Sequence, residues 1–236
     1  MRLNARDMIQ QTILLEGMWD PFLTRFIENR LKPGDVFVDV GAHVGYFTLL
    51  AARRVAGIGT VLSIEPNPLA LEQLRQNVER SGLRNVRIAD TACGDTDHAV
   101  RLYLHTESNS SMASLSAVNA AAGAEVDVKC TTLDSLCQQH QLARVDLVKI
   151  DVEGAELSVL RGMERILRGM RPVIVLELEP RLLNSFGATR ESVHAFFAEY
   201  EYRVSPLGGH SNYVCRPGSG DRGIVEPGIG VAIRRG

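Results

Sequence analysis

Short, almost wholly apolar runs recur along this chain and alternate with stretches whose apolar residues fall three or four positions apart. "VFVDV" (36–40) and "TVLSIEP" (60–66) are the first two runs. Lacking polar alternation, they have the pattern of parallel strands covered on both faces. Asn67-Pro68 then opens a helix, with Asn as N-cap and Pro in the first turn. Leu71, Leu74 and Val78 stripe one face of it, and Gly82 supplies a left-handed stop. "NVRIADTA" (85–92) is a third strand and "VDLVKID" (145–151) a fourth. One helix follows the fourth, through Val159, Leu160, Met163, Ile166 and Leu167, ended by Gly169 and Pro172. "PVIVLELEP" (172–180) is the fifth strand; a helix carrying Val193, Phe196, Phe197 and Tyr200 leads to a strand near "EYRVSPL" (201–207). Such alternation specifies right-handed βαβ units and an α/β, doubly wound, mostly parallel sheet.

Three stretches break this rhythm within what reads as a single domain over 1–236, with a cofactor-binding core at 34–180 and a C-terminal helix and strands at 181–236. Residues 1–33 read as a helical N-terminal extension, with Trp19, Phe22, Phe26 and Leu31 available to dock on the sheet; core packing is the simpler role for Trp19. Residues 93–144 are too long for a simple crossover. Their alternating "AVRLYLH" and "VDVKCTTL" predict inserted strands around a loop (106–124), which serves either as a substrate cover or as a surface insert. The tail from 217 to 236 is Gly/Pro-rich and irregular.

Charge and composition exclude some partners. With 26 Lys+Arg against 28 Asp+Glu, the net charge of -2 leaves no basic footprint for nucleic acid. No apolar run approaches the roughly 20 residues of a membrane span. The first residues carry neither a continuous apolar stretch nor a small-residue cleavage site, so a cytoplasmic location is expected. Cys93, Cys130, Cys137 and Cys215 form no C-x-x-C pair and read as reduced thiols.

The first strand runs directly into a turn, "DVGAHVGY" (39–46). A dinucleotide fingerprint, G-x-G-x-x-G, would need glycines where His43 and Tyr46 stand, and both would crowd a pyrophosphate. That counts against a nicotinamide-dependent oxidoreductase. What remains, Asp39-x-Gly41-x-x-x-Gly45, suits a ligand without phosphates. S-adenosylmethionine fits, because its amino-acid end carries an ammonium and a carboxylate that can meet an acidic residue and helix-terminal N–H groups. A purely structural tight turn is the competing reading. Glu65, at the end of the second strand, strengthens the first, since a carboxylate there can bind both ribose hydroxyls.

Acidic residues also gather at the ends of the fourth and fifth strands: Asp151, Glu153 and Glu156, then Glu177 and Glu179. Glu156 and Glu153 could simply favour the N-terminus of the following helix. If the first and fourth strands are neighbours, Asp151 faces the glycine turn across the crevice in which open α/β sheets bind ligands. Asp151, Glu153 and Glu177 are the candidate general bases. Asp151 and Glu177 also suit Mg²⁺, a hard cation that takes oxygen ligands, although a lone base accounts for the same residues.

"GDVFVDVGAHVGYFTLLAA", "IEPNP", "TTLDSL", "VDLVKIDVEGAELSVLRG" and "RPVIVLELEP" resemble, in order from about residue 34 to 180, the motifs of FkbM-type methyltransferases. The resemblance implies the Rossmann-like class I S-adenosylmethionine-dependent fold, with a seven-stranded sheet whose last strand is antiparallel. It also implies O-methylation of a hydroxyl on a small molecule, sugar, glycan or natural product. His43 departs from it, because the family more often has Asn there. On this reading Asp39, Gly41, His43, Gly45 and Tyr46 surround the methionine end, and Glu65 and Asn67 hold the ribose. Asp90, Thr91 and Ala92 would frame the adenine. An N-acceptor or a noncatalytic binding role on the same scaffold remains compatible with these residues.

Overall fold

The structure is a computed structural model that describes residues 1–5, 7–104, 115, 124–208 and 211–218. Helices α1 (Met8–Glu16) and α2 (Pro21–Arg30) precede β1 (Val36–Val40), α3 (Tyr46–Arg54), β2 (Thr60–Ile64), α4 (Pro68–Ser81) and β3 (Val86–Ala89). Next come β4 (Ala92–Cys93), β5 (His98–Tyr103), β6 (Glu125–Thr131), α5 (Leu133–Gln139) and β7 (Leu147–Ile150). The chain continues through α6 (Glu156–Arg161), α7 (Glu164–Gly169), β8 (Val173–Glu177), α8 (Pro180–Ser185), α9 (Arg190–Glu199), β9 (Tyr202–Gly208) and β10 (Asn212–Pro217).

The main sheet has seven strands in the order β3-β2-β1-β7-β8-β10-β9. β1, β2, β3, β7 and β8 pair in parallel, and β10 runs antiparallel to both β8 and β9. Its central strands are buried on both faces, as their unbroken apolar runs require. One face packs Val38, Leu62, Val148 and Ile174 against α5 to α9; the other packs Phe37, Val61, Leu147 and Val175 against α2 and α3. Strand order reverses between β1 and β7, the ends that carry the glycine turn and Asp151.

α4 forms as its signals predict: Asn67 Oδ1 accepts from Leu69 N–H at 3.0 Å, and Gly82 is left-handed at φ 70°. Three expectations change, and that of inserted strands holds. The run 85–92 is two strands, because β4 leaves the main sheet to pair with β6, and the Thr91 hydroxyl donates to the Lys129 carbonyl at 3.0 Å. β5 and β6 are the inserted strands, forming with β4 a separate three-stranded sheet. The single helix after β7 is two short ones, since Gly162 is packed against the Gly94 backbone and its carbonyl accepts from Asp134 N–H at 3.0 Å. Phe22 stays half exposed at the start of α2, whereas Leu31 is buried. Of the 106–124 loop only Leu115 and Ala124 are described, and the tail beyond Gly218 lies outside the described residues. No helix among the described residues is long and apolar enough to cross a membrane.

Candidate active site

Beyond Val40 the chain turns through residues 41–45 into α3. Gly41 and Ala42 both donate N–H to the Ile64 carbonyl at 3.0 Å, which lays the turn across the end of β2. Gly41 has φ 75°, and a Cβ there would overlap the Asp151 carbonyl oxygen. Glycine is therefore demanded first by the close approach of β1 and β7, before any ligand arrives. Gly45, at φ 90°, precedes α3 with no side-chain cap, so the first N–H groups of that helix have no side-chain acceptor. His43 adopts φ 49°, a left-handed conformation that His and Asn tolerate better than most residues.

Glu65 is buried just past β2 and clamps this turn. Its Oε2 accepts from His43 N–H at 2.7 Å and its Oε1 from Asn67 N–H at 2.9 Å. Burial pushes its carboxyl up to about 7, against the pull of those two N–H groups and of Lys149. Each oxygen retains a lone pair for a further donor. Burial also lowers the His43 imidazole, against the attraction of Asp7 and Asp151, so the ring is neutral.

Lys149 joins the two sides of the crevice. It is the charged residue of an otherwise apolar β7 and is 3% exposed. Its Nζ donates to the Gly41 carbonyl at 3.0 Å and lies 3.3 Å from Asp39 Oδ1 and 3.4 Å from Asp151 Oδ2. Burial works to lower Lys149, but Asp39 and Asp151 outweigh it and raise its pKa above the ordinary lysine value. Asp39 is raised by burial despite Lys149 and its hydrogen bond from Thr48 Oγ1 at 2.7 Å. The lysine escaped the sequence reading. Its signal was a charged residue in a strand buried on both faces, which needs a counter-ion.

Two adjoining cavities open at these strand ends. The first is lined by the 41–44 turn, Tyr46, Glu65, Asn67 and Ala92, and its apolar part by Pro66, Cys93 and Leu102. The second reaches Asp20, Glu177, Leu182 and Asn212. Ile9, Trp19, Phe47, Lys149, Asp151 and Glu153 line both. Trp19 is thus a cavity wall as well as a packing residue.

Four cofactor candidates do not line the first cavity, among them Gly45, whose Cα faces Leu74 of α4. Asp39 is fully buried behind Lys149 and lines neither cavity. Asp90 is exposed and paired with Arg75 Nη2 at 3.2 Å, because the chain leaves the main sheet at Ala89. Thr91 is buried, its hydroxyl committed to the Ala92 and Lys129 carbonyls. Tyr46 lines the cleft with its hydroxyl 3.2 Å from Thr24 Oγ1.

On the second side, Glu153 has φ 55°, a strained conformation of the kind that clusters at functional sites. Neither the Glu153 nor the Glu177 side chain makes a hydrogen bond or ion pair among the described residues. Burial and the neighbouring carboxylates push both up to about 8. Glu156 is different: its Oε1 accepts from Val152 and Gly154 N–H at 3.2 and 3.1 Å, bracing the loop that presents Glu153.

Comparison with known proteins identifies a family for this chain. The sequence profile described as "Methyltransferase FkbM domain" matches residues 39–204. The chain belongs to the FkbM methyltransferase family. Its relatives include Methyltransferase 1 of Beauveria bassiana, 31% identical over 56% of this chain and 60% of the relative. The 31-O-demethyl-FK506 methyltransferase FkbM of Streptomyces tacrolimicus is 28% identical over 57% and 61%. The hexuronic acid methyltransferase AglP of Haloferax volcanii is 25% identical over 64% and 59%. The matches therefore span about three-fifths of each relative's length. Among solved structures, methyltransferase FkbM from Methylobacillus flagellatus superimposes with TM-score 0.53 at 13% identity, over 88% of this chain and 59% of that one. A Streptococcus mutans protein solved in complex with SAH has TM-score 0.51 at 10% identity, over 84% and 98%. The fold shared with these FkbM-family and related proteins is the S-adenosylmethionine-dependent class I fold.

The donor set fits S-adenosylmethionine: a buried carboxylate with spare lone pairs at β2, an uncapped helix start at α3, and an apolar wall between them. Nothing in it supports Mg²⁺ at Asp151 and Glu177. No group of three or more His, Cys, Asp or Glu among the described residues converges as metal ligands. The Lys149 ammonium already supplies the positive charge beside Asp151.

Proposed function

We propose that this chain transfers a methyl group from S-adenosylmethionine to a hydroxyl of a small molecule or glycan. The observation that carries the reading is the shared wall: Asp151 and Glu153 stand between a cleft suited to the methyl donor and a second cavity suited to an acceptor. The name of the Streptomyces relative specifies an O-methyl site, and that of the Haloferax relative a sugar acid, which supports hydroxyl-bearing acceptors.

Bound in the cleft, S-adenosylmethionine supplies a methyl already activated by its sulfonium. The protein has to align the two reactants and remove a proton from the acceptor. Glu65 takes the ribose hydroxyls and the start of α3 the carboxylate. Asp151, paired with Lys149, receives the hydroxyl proton while the oxygen forms its bond to the methyl carbon and the C–S electron pair passes to sulfur. Glu153 and Glu177, with carboxyls near 8, hold protons at neutral pH and donate hydrogen bonds to other acceptor oxygens.

Transfer of a radiolabelled methyl group into a cell-extract metabolite pool, with mass spectrometry of the labelled product, tests this directly. An O-methylated product is expected. Labelled amine products, or no transfer by protein that binds the cofactor, would overturn the reading.

A further inference from the structure

Lys149 has a place that the proposed chemistry does not by itself require. Its ammonium lies on the wall common to both cavities, while Asp39, the carboxylate nearest to it, lines neither. The groups around it are otherwise acidic: Asp39 on β1, Asp151 and Glu153 after β7, and Glu65 after β2. Without Lys149 the ionised group nearest a cation at the shared wall would be the Asp151 carboxylate, with no positive charge to offset it. The methyl has to reach the second cavity, so the sulfonium of a bound cofactor belongs at this shared wall.

We infer that Lys149 is a specificity-determining residue that sets how strongly the cleft prefers the cationic methyl donor over its neutral product. This rests on the proposed reading of the first cavity as the S-adenosylmethionine site. Methyl transfer converts a sulfonium into a thioether, so the field at the sulfur acts on one side of the reaction and not on the other. A purely anionic wall would hold the cation most tightly before reaction and oppose the loss of its charge on the way to the transition state. The buried ammonium cancels part of that field. Its three acceptors, the Gly41 carbonyl, Asp39 and Asp151, fix it in place, so the cancellation needs no rearrangement when the cofactor enters.

The test measures dissociation constants of S-adenosylmethionine and S-adenosylhomocysteine by calorimetry and follows their ratio, homocysteine form over methionine form. Lys149→Met alone would leave Asp39 buried without its cation, so the informative pair is Asp39→Asn and Asp39→Asn/Lys149→Met. Neither strands a buried carboxylate, and Thr48 keeps an acceptor in both. Removing the lysine charge in that background should raise the ratio by roughly 5- to 30-fold, the effect of one unit charge several ångströms away in a partly screened site. Asp39→Asn/Lys149→Gln, which keeps a donor for the Gly41 carbonyl, should raise it against Asp39→Asn. Lys149→Arg should leave the ratio within about twofold even if both ligands weaken, given that charge sets it. A purely structural lysine would change both affinities together; a constant ratio across folded variants overturns the inference and leaves the cofactor site intact. Wild-type protein that binds neither ligand overturns the site assignment itself.

Discussion

The two sides of the crevice are built from the same residue type and treat it in opposite ways. On the β1–β2 side, the buried carboxylate of Glu65 has a backbone N–H on each oxygen, and its neighbours His43 and Asn67 are fixed by that grip. On the β7–β8 side, the Glu153 and Glu177 carboxyls have no partner among the described residues, and Glu153 is held in a strained conformation. A side preorganised by its own backbone suits a ligand that never changes, such as a cofactor. Carboxylates left unpaired suit a partner that brings its own hydrogen bonds, and their cost is borne by the free protein. Lys149 and Gly41 belong to both sides, so changes there should be felt across the whole crevice.

The largest effect is expected at the point where the sides touch. In Gly41→Val the added side chain meets the Asp151 carbonyl and the φ of 75° becomes strained. Backbone must move to relieve both, so stability should fall by more than about 3 kcal/mol. Denaturant unfolding measures it. A folded variant of near wild-type stability that merely loses cofactor affinity would show that the ligand, not the β1–β7 approach, requires the glycine.

Next in size is Asp151→Asn. It removes a proton acceptor but little volume, at a side chain that is 36% exposed. Turnover should fall by roughly 100-fold or more, whereas S-adenosylmethionine should weaken by no more than roughly 5- to 30-fold, the effect of one unit charge at the shared wall. Single-turnover assays alongside calorimetry separate the two. Equal losses in binding and turnover would place Asp151 on the cofactor side and erase the contrast.

Glu65→Ala should do the reverse. It takes away hydrogen bonds to the ribose and strands the N–H groups of His43 and Asn67. Affinity for S-adenosylmethionine should drop by roughly 10- to 100-fold, at about 1.5–3 kcal/mol for bonds to a charged group. An unchanged constant in the folded variant would mean that the cofactor lies elsewhere.

Apolar runs made the sheet legible. β1, β2, β7 and β8 are buried on both faces, and no other element tolerates four or five such residues so tightly bounded by turn signals. The helix caps of α4 were equally local. What sequence could not give was proximity. Asp39 and Asp90 look alike as acidic residues near strand ends, yet one is walled in by Lys149 and Thr48, and the other swings out where β3 stops. Gly41 was recognised as a glycine position, but its strictest demand comes from a carbonyl 110 residues further along the chain. His43 looked like a departure from a pattern; its φ of 49° shows a position where Asn and His are both admissible. The pairing of β4 with β6 depends on contacts between distant segments, which no local pattern encodes.

A further effect, read across pH rather than from a single substitution of the turn or the base, separates the sides by the range in which each acts. Glu65 and Glu156 are raised to about 7, and Glu153 and Glu177 to about 8, from an ordinary 4.5. A carboxyl whose folded pKa exceeds its unfolded value binds more protons in the folded state between the two. Its stabilising contribution is complete below the unfolded pKa and is lost as pH rises through the folded one. The ligand-free protein should therefore lose stability steadily from about pH 5 to pH 8. The lower part of that loss comes from all four carboxyls, whereas the part above pH 7 comes mainly from Glu153 and Glu177. Glu153→Gln/Glu177→Gln should flatten the curve above pH 7 and leave a slope below it, because an amide keeps the shape without the charge. Denaturant midpoints at pH 5, 6, 7 and 8 decide the matter. A stability that rises with pH across this window would mean that the unpaired carboxylates are less buried than the structure places them, and the contrast between the two sides would lose its electrostatic basis.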